Sequence, residues 1–336
     1  DAPAIRWADG SVSYRELTGW AAAISARLGE VAGRAVAVRV PQGPARFAAL
    51  LGVLGAGAHL VWLGTGRAGD RVKAVLGELR PARMIVAEDA AADALARWYR
   101  EELGGGLVTA DAPDRAGPFP AVRTGPEDWA YVAYTSGSTG PPKGIPQTHG
   151  ALAQFVTWFA AEFGLGPGAR LAQWVVPEHD PALCETFATL VSGATLHPVP
   201  ERIRLHPDRL VDWLAAERIS HLQTVPSFAR ELLQAIHRGG AADRLASLGH
   251  LLLMGEAVPP ELVRGLRAAL PHTRLINLYG PTETIAATWH PIGDDEDGAV
   301  PIGRPIPGRQ VLVVDGRDRP CRTGETGEIV VRSPYV

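Results

Sequence analysis

The sequence has few lysines, few cysteines and no long apolar run. Lysine supplies only two of its 33 basic residues and no basic block occurs, so neither nucleic acid nor an anionic membrane is an expected partner. The two cysteines lack metal-ligand spacing, which favours a reducing cytoplasm. No apolar stretch is long enough to span a bilayer, and no signal peptide is recognisable. These absences predict a cytoplasmic protein.

Two common nucleotide-binding motifs are also missing. The Walker A pattern G-x-x-x-x-G-K-S/T fails, because Gly140 comes too early and Gly144 follows Lys143. No G-x-G-x-x-G follows a strand, which excludes a dinucleotide-binding fold from the expectations.

A different phosphate-binding stretch is present at Tyr134–Gly144. It combines hydroxyls, glycines and Lys143 directly after the apolar run Trp129–Ala133, which predicts a buried strand. Glycines let backbone N–H groups converge on one anion, and hydroxyls add donors around it. A flexible surface loop is the alternative. We expect a nucleoside triphosphate site that includes Thr135, Ser136, Gly137, Ser138, Thr139 and Gly140.

Lysine usage supports the same interpretation of Lys143. The chain otherwise uses arginine, and its other lysine, Lys73, falls in a predicted early helix. A compact ammonium on a flexible stem follows a moving phosphate better than a planar guanidinium does.

A second polar cluster, Asn277–Glu283, follows another predicted strand and turns at Gly280-Pro281. Side chains at the carboxyl edge of an open α/β sheet are placed to bind ligands. An aromatic, a hydroxyl and a carboxylate suit adenine stacking, a phosphate contact and Mg²⁺ ligation. The alternative is a plain strand-to-turn connection with Glu283 solvated.

These motifs resemble the adenylate-forming (ANL) superfamily, and the adenylation domains of nonribosomal peptide synthetases fit best. Three further segments are similar in the same order: Ser13–Leu17, Leu54–Leu63 and Gly327–Val331. The resemblance implies catalytic roles for Lys143, Thr282 and Glu283, with Glu283 as the Mg²⁺ ligand. It also implies nucleotide contacts from Gly255, Glu256, Ala257, Asn277, Tyr279 and Gly280, although Gly255–Ala257 alone is equally typical of a routine turn.

The substrate question rests on Asp180. The segment Trp174–Glu185 resembles the family segment whose aspartate binds the substrate ammonium, and Asp180 falls on that aspartate. The alternative is an N-cap, since Asp180-Pro181 is a favourable start for a helix. His179 departs from the family's usual phenylalanine. The other implied lining positions, for which core packing is equally consistent, are Pro181, Cys184, Gln223, Leu252, Met254, Leu278, Ala286 and Ala287.

The fold expectation is α/β, with two sandwiched helix-flanked sheets and the start of a small β-barrel subdomain. Ser13 and Glu16 form a capping-box pattern that opens a helix. Short apolar strands alternate with helices, which indicates parallel sheets, and Gly104–Pro126 is predicted to be a linker. The expected domains are a first α/β subdomain with linker (1–120), a second with the nucleotide and substrate site (121–295) and the barrel start (296–336).

The resemblance implies an ATP-dependent ligase that forms an aminoacyl-adenylate, releases pyrophosphate and loads a carrier-protein phosphopantetheine thiol. A small or medium uncharged amino acid is the expected substrate, with a β-amino acid left open. The alternatives are an aryl- or acyl-CoA synthetase and a catalytically silent carrier-binding module. The family continues with a lysine-bearing C-terminal subdomain that lies beyond Val336, so we expect a core fragment that is incomplete for catalysis by itself.

Overall fold

The computed structural model describes residues 1–66, 69–113, 117–119, 124–135, 142–177, 179–240, 243–293 and 298–336. The chain divides into two units, Asp1–Pro200 and Glu201–Val336. The predicted limits at residues 120 and 295 lie inside these units, and the three-part division stays a prediction. Among the described residues, no helix has the length and apolar character needed to cross a membrane.

The first unit alternates strands and helices along most of its length. Its strands are β1 (Pro3–Trp7), β2 (Gly10–Ser13), β3 (Ala35–Arg39), β4 (His59–Trp62), β5 (Arg83–Val86), β6 (Gly106–Thr109), β7 (Trp129–Thr135), β8 (Lys143–Thr148), β9 (Arg170–Gln173) and β10 (Thr195–Pro198). Its helices are α1 (Tyr14–Leu28), α2 (Pro44–Gly55), α3 (Asp70–Leu79), α4 (Ala94–Leu103), α5 (His149–Glu162) and α6 (Pro181–Ser192).

Two sets of strands form the sheets of this unit. One sheet has the order β6-β5-β3-β4-β7-β8, parallel except for the antiparallel edge strand β8. In the other set, β9, β10 and β1 run parallel and β2 pairs antiparallel with β1. Side chains of α3 and α4, including Leu76 and Tyr99, pack against one face of the first sheet around Met84. Burial of each such side chain stabilises the fold by about 1.5–3 kcal/mol.

The second unit carries two further groups of strands. Its strands are β11 (His221–Thr224), β12 (His250–Met254), β13 (Arg274–Tyr279), β14 (Thr288–Pro291), β15 (Arg304–Pro305), β16 (Gln310–Val314) and β17 (Glu328–Arg332), and its helices are α7 (Glu201–Arg204), α8 (Pro207–Ala216), α9 (Pro226–Gly239) and α10 (Pro260–Ala269). Strands β11, β12 and β13 are parallel, and β14 and β15 extend them antiparallel. Strands β16 and β17 form an antiparallel pair where the barrel start was expected.

The predicted α/β class is confirmed, with local corrections. The capping box is present, because Ser13 Oγ accepts the backbone N–H of Glu16 and the Glu16 carboxylate accepts that of Ser13. The predicted linker Gly104–Pro126 is wrong in part, since strand β6 lies inside it and pairs with β5. The prediction of parallel sheets missed β8, whose Pro146 is tolerated because β8 is an edge strand.

Candidate functional site

The stretch predicted to bind phosphate connects the two strands of a β-hairpin. Thr135 ends β7 and Lys143 begins β8, and the two residues are register partners across the pair. This pairing brings the ends of the stretch together at the carboxyl end of β7. The Lys143 side chain is exposed there. The predicted sites at Ser136, Gly137, Ser138, Thr139 and Gly140 lie outside the described residues, and all roles in this stretch stay predictions.

A cavity of about 250 Å³ lies beside the end of β7 in the first unit. Its walls come from the carboxyl ends of β4 and β7, from α3 and from the start of α6. Apolar side chains predominate among the lining residues that the structure describes, and the charged ones among them are Asp180 and Arg71. The Arg71 guanidinium also donates to the Tyr134 carbonyl at 3.3 Å. The carboxyl ends of adjacent parallel strands are the expected place for a ligand in such a sheet.

Asp180 stands at the N-cap position of α6 but does not act as a capping side chain. Its φ of −55° and ψ of −32° are helical, and its carboxylate makes no hydrogen bond to the N–H groups of the first turn. Ordinary N-cap residues adopt extended angles and accept such a bond. Pro181 begins the helix, as the sequence suggested. Asp180 therefore occupies the position of an N-cap residue, but its side chain does not cap the helix.

Cys184 and Asp180 lie near Tyr131, which sequence reasoning did not single out. The Tyr131 side chain is fully buried, and its hydroxyl has no hydrogen-bond partner among the residues that the structure describes. Burial raises the pKa of Tyr131 well above its ordinary value, and negative charge on Cys184 or Asp180 adds to this shift. The apolar run Trp129–Ala133 predicted a buried strand, but the neighbours of the Tyr131 hydroxyl were not visible in the sequence.

Glu185 is a second group that sequence reasoning missed. It is 1% exposed, and its Oε2 accepts the backbone N–H of Val175 at 3.2 Å. Burial raises the pKa of Glu185 well above its ordinary value, against the opposing effect of hydrogen bonds from Val175, Trp174 and Gln173. Glu185 thereby ties the segment between β9 and α6, which includes Asp180, to the helix.

In the second unit, the predicted lining residues share one face of the sheet. Gln223 pairs with Leu252, and Met254 pairs with Leu278. Register partners and alternate residues of parallel strands point to the same side. Gln223, Leu252 and Leu278 are buried, and Met254 is half-buried. The structure thus brings these four positions together, although their substrate contacts stay predictions.

The turn after β13 presents an aromatic ring and a carboxylate. Tyr279 ends the strand with 36% of its surface exposed, and Glu283 is exposed on a single 3₁₀ turn, Thr282–Thr284. Gly280 is required by close packing, because an added Cβ would lie 2.5 Å from the Ala286 Cα. Ala286 and Ala287 are fully buried beyond the turn. Thr282 lies between Tyr279 and Glu283 in the same turn.

Asn277 lies on the opposite face of β13 from the lining set. It is 5% exposed, and its Nδ2 donates to the Pro301 carbonyl at 2.9 Å. That bond uses one donor of the amide, whereas an adenine amine would need the oxygen Oδ1. The predicted adenine contact would therefore use Oδ1 of Asn277 while its Nδ2 stays bonded to the Pro301 carbonyl.

The turn Gly255–Ala257 is exposed, and Gly255 has a φ of +95° that favours glycine. The Glu256 carboxylate accepts both the backbone N–H and the hydroxyl of Ser227, each at 2.8 Å. Ser227 lies in the first turn of α9, so Glu256 caps that helix from outside. This structural role was not visible in the sequence, and the predicted nucleotide contact stays a prediction.

Glu283 is suited to Mg²⁺ by its chemistry and position. Magnesium is usually held by one or two carboxylates together with substrate phosphates. An exposed carboxylate on a turn fits that arrangement. Within the described ranges, no group of three or more histidine, cysteine, aspartate or glutamate side chains forms a candidate metal site.

Residues 1–336 match the family described as AMP-binding enzyme, and the chain belongs to that family. It is 38% identical over 320 residues to the isonitrile lipopeptide synthase of Streptomyces coeruleorubidus, with 91% of this chain and 21% of that protein covered. It is 36% identical over 255 residues to the L-proline–L-prolyl-carrier protein ligase of Pseudomonas fluorescens, with 70% and 51% covered.

The crystal structure of the nonribosomal peptide synthetase FmoA3 has the same fold. It superimposes with a TM-score of 0.87 at 28% identity, covering 100% of this chain and 36% of that one. FmoA3 has also been solved with AMPPNP and with α-methyl-L-serine-AMP bound. This chain spans about a fifth to a half of the length of the two curated relatives.

Proposed function

We propose that this chain is the core of an amino acid adenylating enzyme. A substrate carboxylate oxygen attacks the α-phosphorus of ATP, the bond to the β-phosphate oxygen breaks, and pyrophosphate leaves. The aminoacyl group then passes to a phosphopantetheine thiol on a carrier protein, and AMP is released. Family membership supports this reaction class, and so do the nucleotide and aminoacyl-adenylate bound to the similar protein FmoA3.

The observation that carries the amino acid assignment is the placement of Asp180. Its carboxylate lines a predominantly apolar cavity at the start of α6 and makes no capping hydrogen bond to that helix. A carboxylate that lines a pocket can pair with a substrate ammonium, and the resemblance to the adenylation domains assigns that role to Asp180. A fatty or aryl acid would offer no such charge.

The remaining roles in the proposal are charge neutralisation of the phosphates and stacking on the adenine. Lys143 neutralises the β- and γ-phosphates, Thr282 contacts the α-phosphate, and Tyr279 stacks on adenine. Glu283 would hold Mg²⁺, which when bound neutralises developing phosphate charge. Positioning and charge neutralisation supply most of the acceleration in phosphoryl and nucleotidyl transfer.

The test is ATP–pyrophosphate exchange by the full-length protein that carries this chain, with a panel of amino, β-amino and aryl acids. We expect amino acids to support exchange. We expect Asp180→Asn to raise the KM of the best amino acid about 100-fold, because a desolvated ammonium would lose its charged partner, and to leave the KM of ATP nearly unchanged.

Asp208→Asn is the matched control, since it removes the same charge from an exposed pair with Arg238. It should behave like the parent. Equal KM values for the parent and Asp180→Asn would contradict the ammonium role, because asparagine caps a helix almost as well as aspartate. Exchange with aryl or acyl acids alone would instead assign the acyl-CoA class.

A further inference from the structure

The turn that carries Thr282 and Glu283 contains a strained residue. Ile285 has a φ of 61° and a ψ of −64°, close to the rare γ-turn with positive φ. For a β-branched side chain this conformation is an outlier. Such conformations persist only where the surroundings determine them, and they concentrate at functional sites. Contacts within the second unit must therefore restrain the backbone of this turn.

Local hydrogen bonds account for part of the restraint. The Thr284 hydroxyl and its backbone N–H both donate to the Pro281 carbonyl at 3.0 Å. The Ala287 N–H donates to the Tyr279 carbonyl at 2.7 Å. These bonds close the base of the turn, but each of them joins residues within the turn or at its ends.

A more distant restraint comes from Arg309, in the segment between β15 and β16. Its guanidinium is buried, with the residue 6% exposed, and its Nη2 donates to the Thr284 carbonyl at 3.2 Å. That carbonyl lies between Glu283 and the strained Ile285. Arginine is almost never buried without specific partners, because removing its charge from water is costly.

We propose that Arg309 is a positioning residue for Thr282 and Glu283. Its guanidinium holds the Thr284 carbonyl, and this fixes the turn in the strained geometry that presents the hydroxyl and the carboxylate to Mg·ATP. The proposal rests on the adenylating function above. It assigns Arg309 no contact with substrate: the residue acts through the backbone of the turn.

The test compares Arg309→Met and Arg309→Lys with Arg304→Met in the full-length protein. Arg304 is the control, because it lies in the neighbouring strand β15 and its guanidinium stacks on the Trp289 ring at 4.4 Å. Exchange kinetics give separate KM values for Mg·ATP and for the amino acid. Hydrogen exchange of the 282–287 amides reads the turn directly and does not depend on activity.

We expect Arg309→Met to lower kcat/KM for Mg·ATP about 100-fold, as a displacement of about 1 Å does, while the amino acid KM changes little. Its 282–287 amides should exchange at least tenfold faster than those of Arg304→Met. Arg309→Lys, which keeps a donor, should recover part of the loss. It also supplies a folded variant if methionine prevents folding.

Three results would overturn the proposal: equal amide exchange in Arg309→Met and Arg304→Met, equal effects on both KM values, or no difference between lysine and methionine at position 309. A parent protein without amino-acid-dependent exchange would remove the proposed function. The amide exchange of the turn would then still decide whether Arg309 holds it.

Discussion

The positive φ of Ile285 predicts that glycine is more stabilising than alanine at this position, which is the reverse of the usual order. Replacement of alanine by glycine inside regular structure destabilises a protein by about 0.5–1 kcal/mol, because glycine loses more freedom on folding. At position 285 a Cβ is held at a φ of 61°, which costs about 1–3 kcal/mol for a residue other than glycine. Relief of this strain should exceed the entropic loss.

The comparison is between Ile285→Ala and Ile285→Gly, since both remove the buried isoleucine side chain. Each should be less stable than the parent by about 2–5 kcal/mol in the absence of other effects. Subtracting about 0.5–1 kcal/mol of unfolded-chain entropy from about 1–3 kcal/mol of strain leaves the glycine variant more stable than the alanine variant by up to about 2.5 kcal/mol.

Urea and thermal unfolding of the two variants measure this difference. A stability difference of about 1 kcal/mol corresponds to about 2–4 °C in Tm for a domain of about 150–250 residues. Ala235→Gly, inside α9, is the control for an ordinary site and should lower stability by about 1 kcal/mol. If glycine at position 285 is less stable than alanine by the same amount as in α9, residue 285 does not carry the strain.

Three other predictions concern charged side chains. Lys143→Ala should keep the fold, since Lys143 is exposed, and weaken Mg·ATP binding about 10- to 100-fold by calorimetry; unchanged affinity would remove Lys143 from the site. Glu283→Gln should raise the Mg²⁺ concentration for half-maximal exchange about tenfold or more, and exchange that survives at the parent's Mg²⁺ level would contradict the metal role. The folded-state pKa of Glu185 is raised above 4.5. The contribution of its protonated carboxyl group to folding stability is therefore fully present below pH 4.5 and is lost as pH rises towards the folded-state pKa. The free energy of unfolding of the parent should therefore fall relative to that of Glu185→Gln by up to about 1.4 kcal/mol per pH unit above pH 4.5, and parallel urea-unfolding profiles would contradict this.

Local sequence signals predicted elements whose cause is itself local. The capping box at Ser13 and Glu16 needs only residues three apart, and it is present. The strand β6 was missed because its glycine-rich surroundings are typical of a linker, whereas pairing with β5 makes it a strand. The edge strand β8 was missed because Gly144 and Pro146 weaken a strand pattern that the β7 partner restores.

The sequence by itself determined the family, the alternation of strands and helices, and the order of the polar motifs along the chain. These depend on residue identity and spacing within short windows. Only the tertiary structure decided that Glu185 is buried against the segment before Asp180, and that Gln223 and Leu252 share a face. It also decided that Arg309 bonds a carbonyl 25 residues away and that Ile285 has a positive φ. Burial, register and strain are set by contacts between distant residues, whose competing free energies no short window of sequence contains.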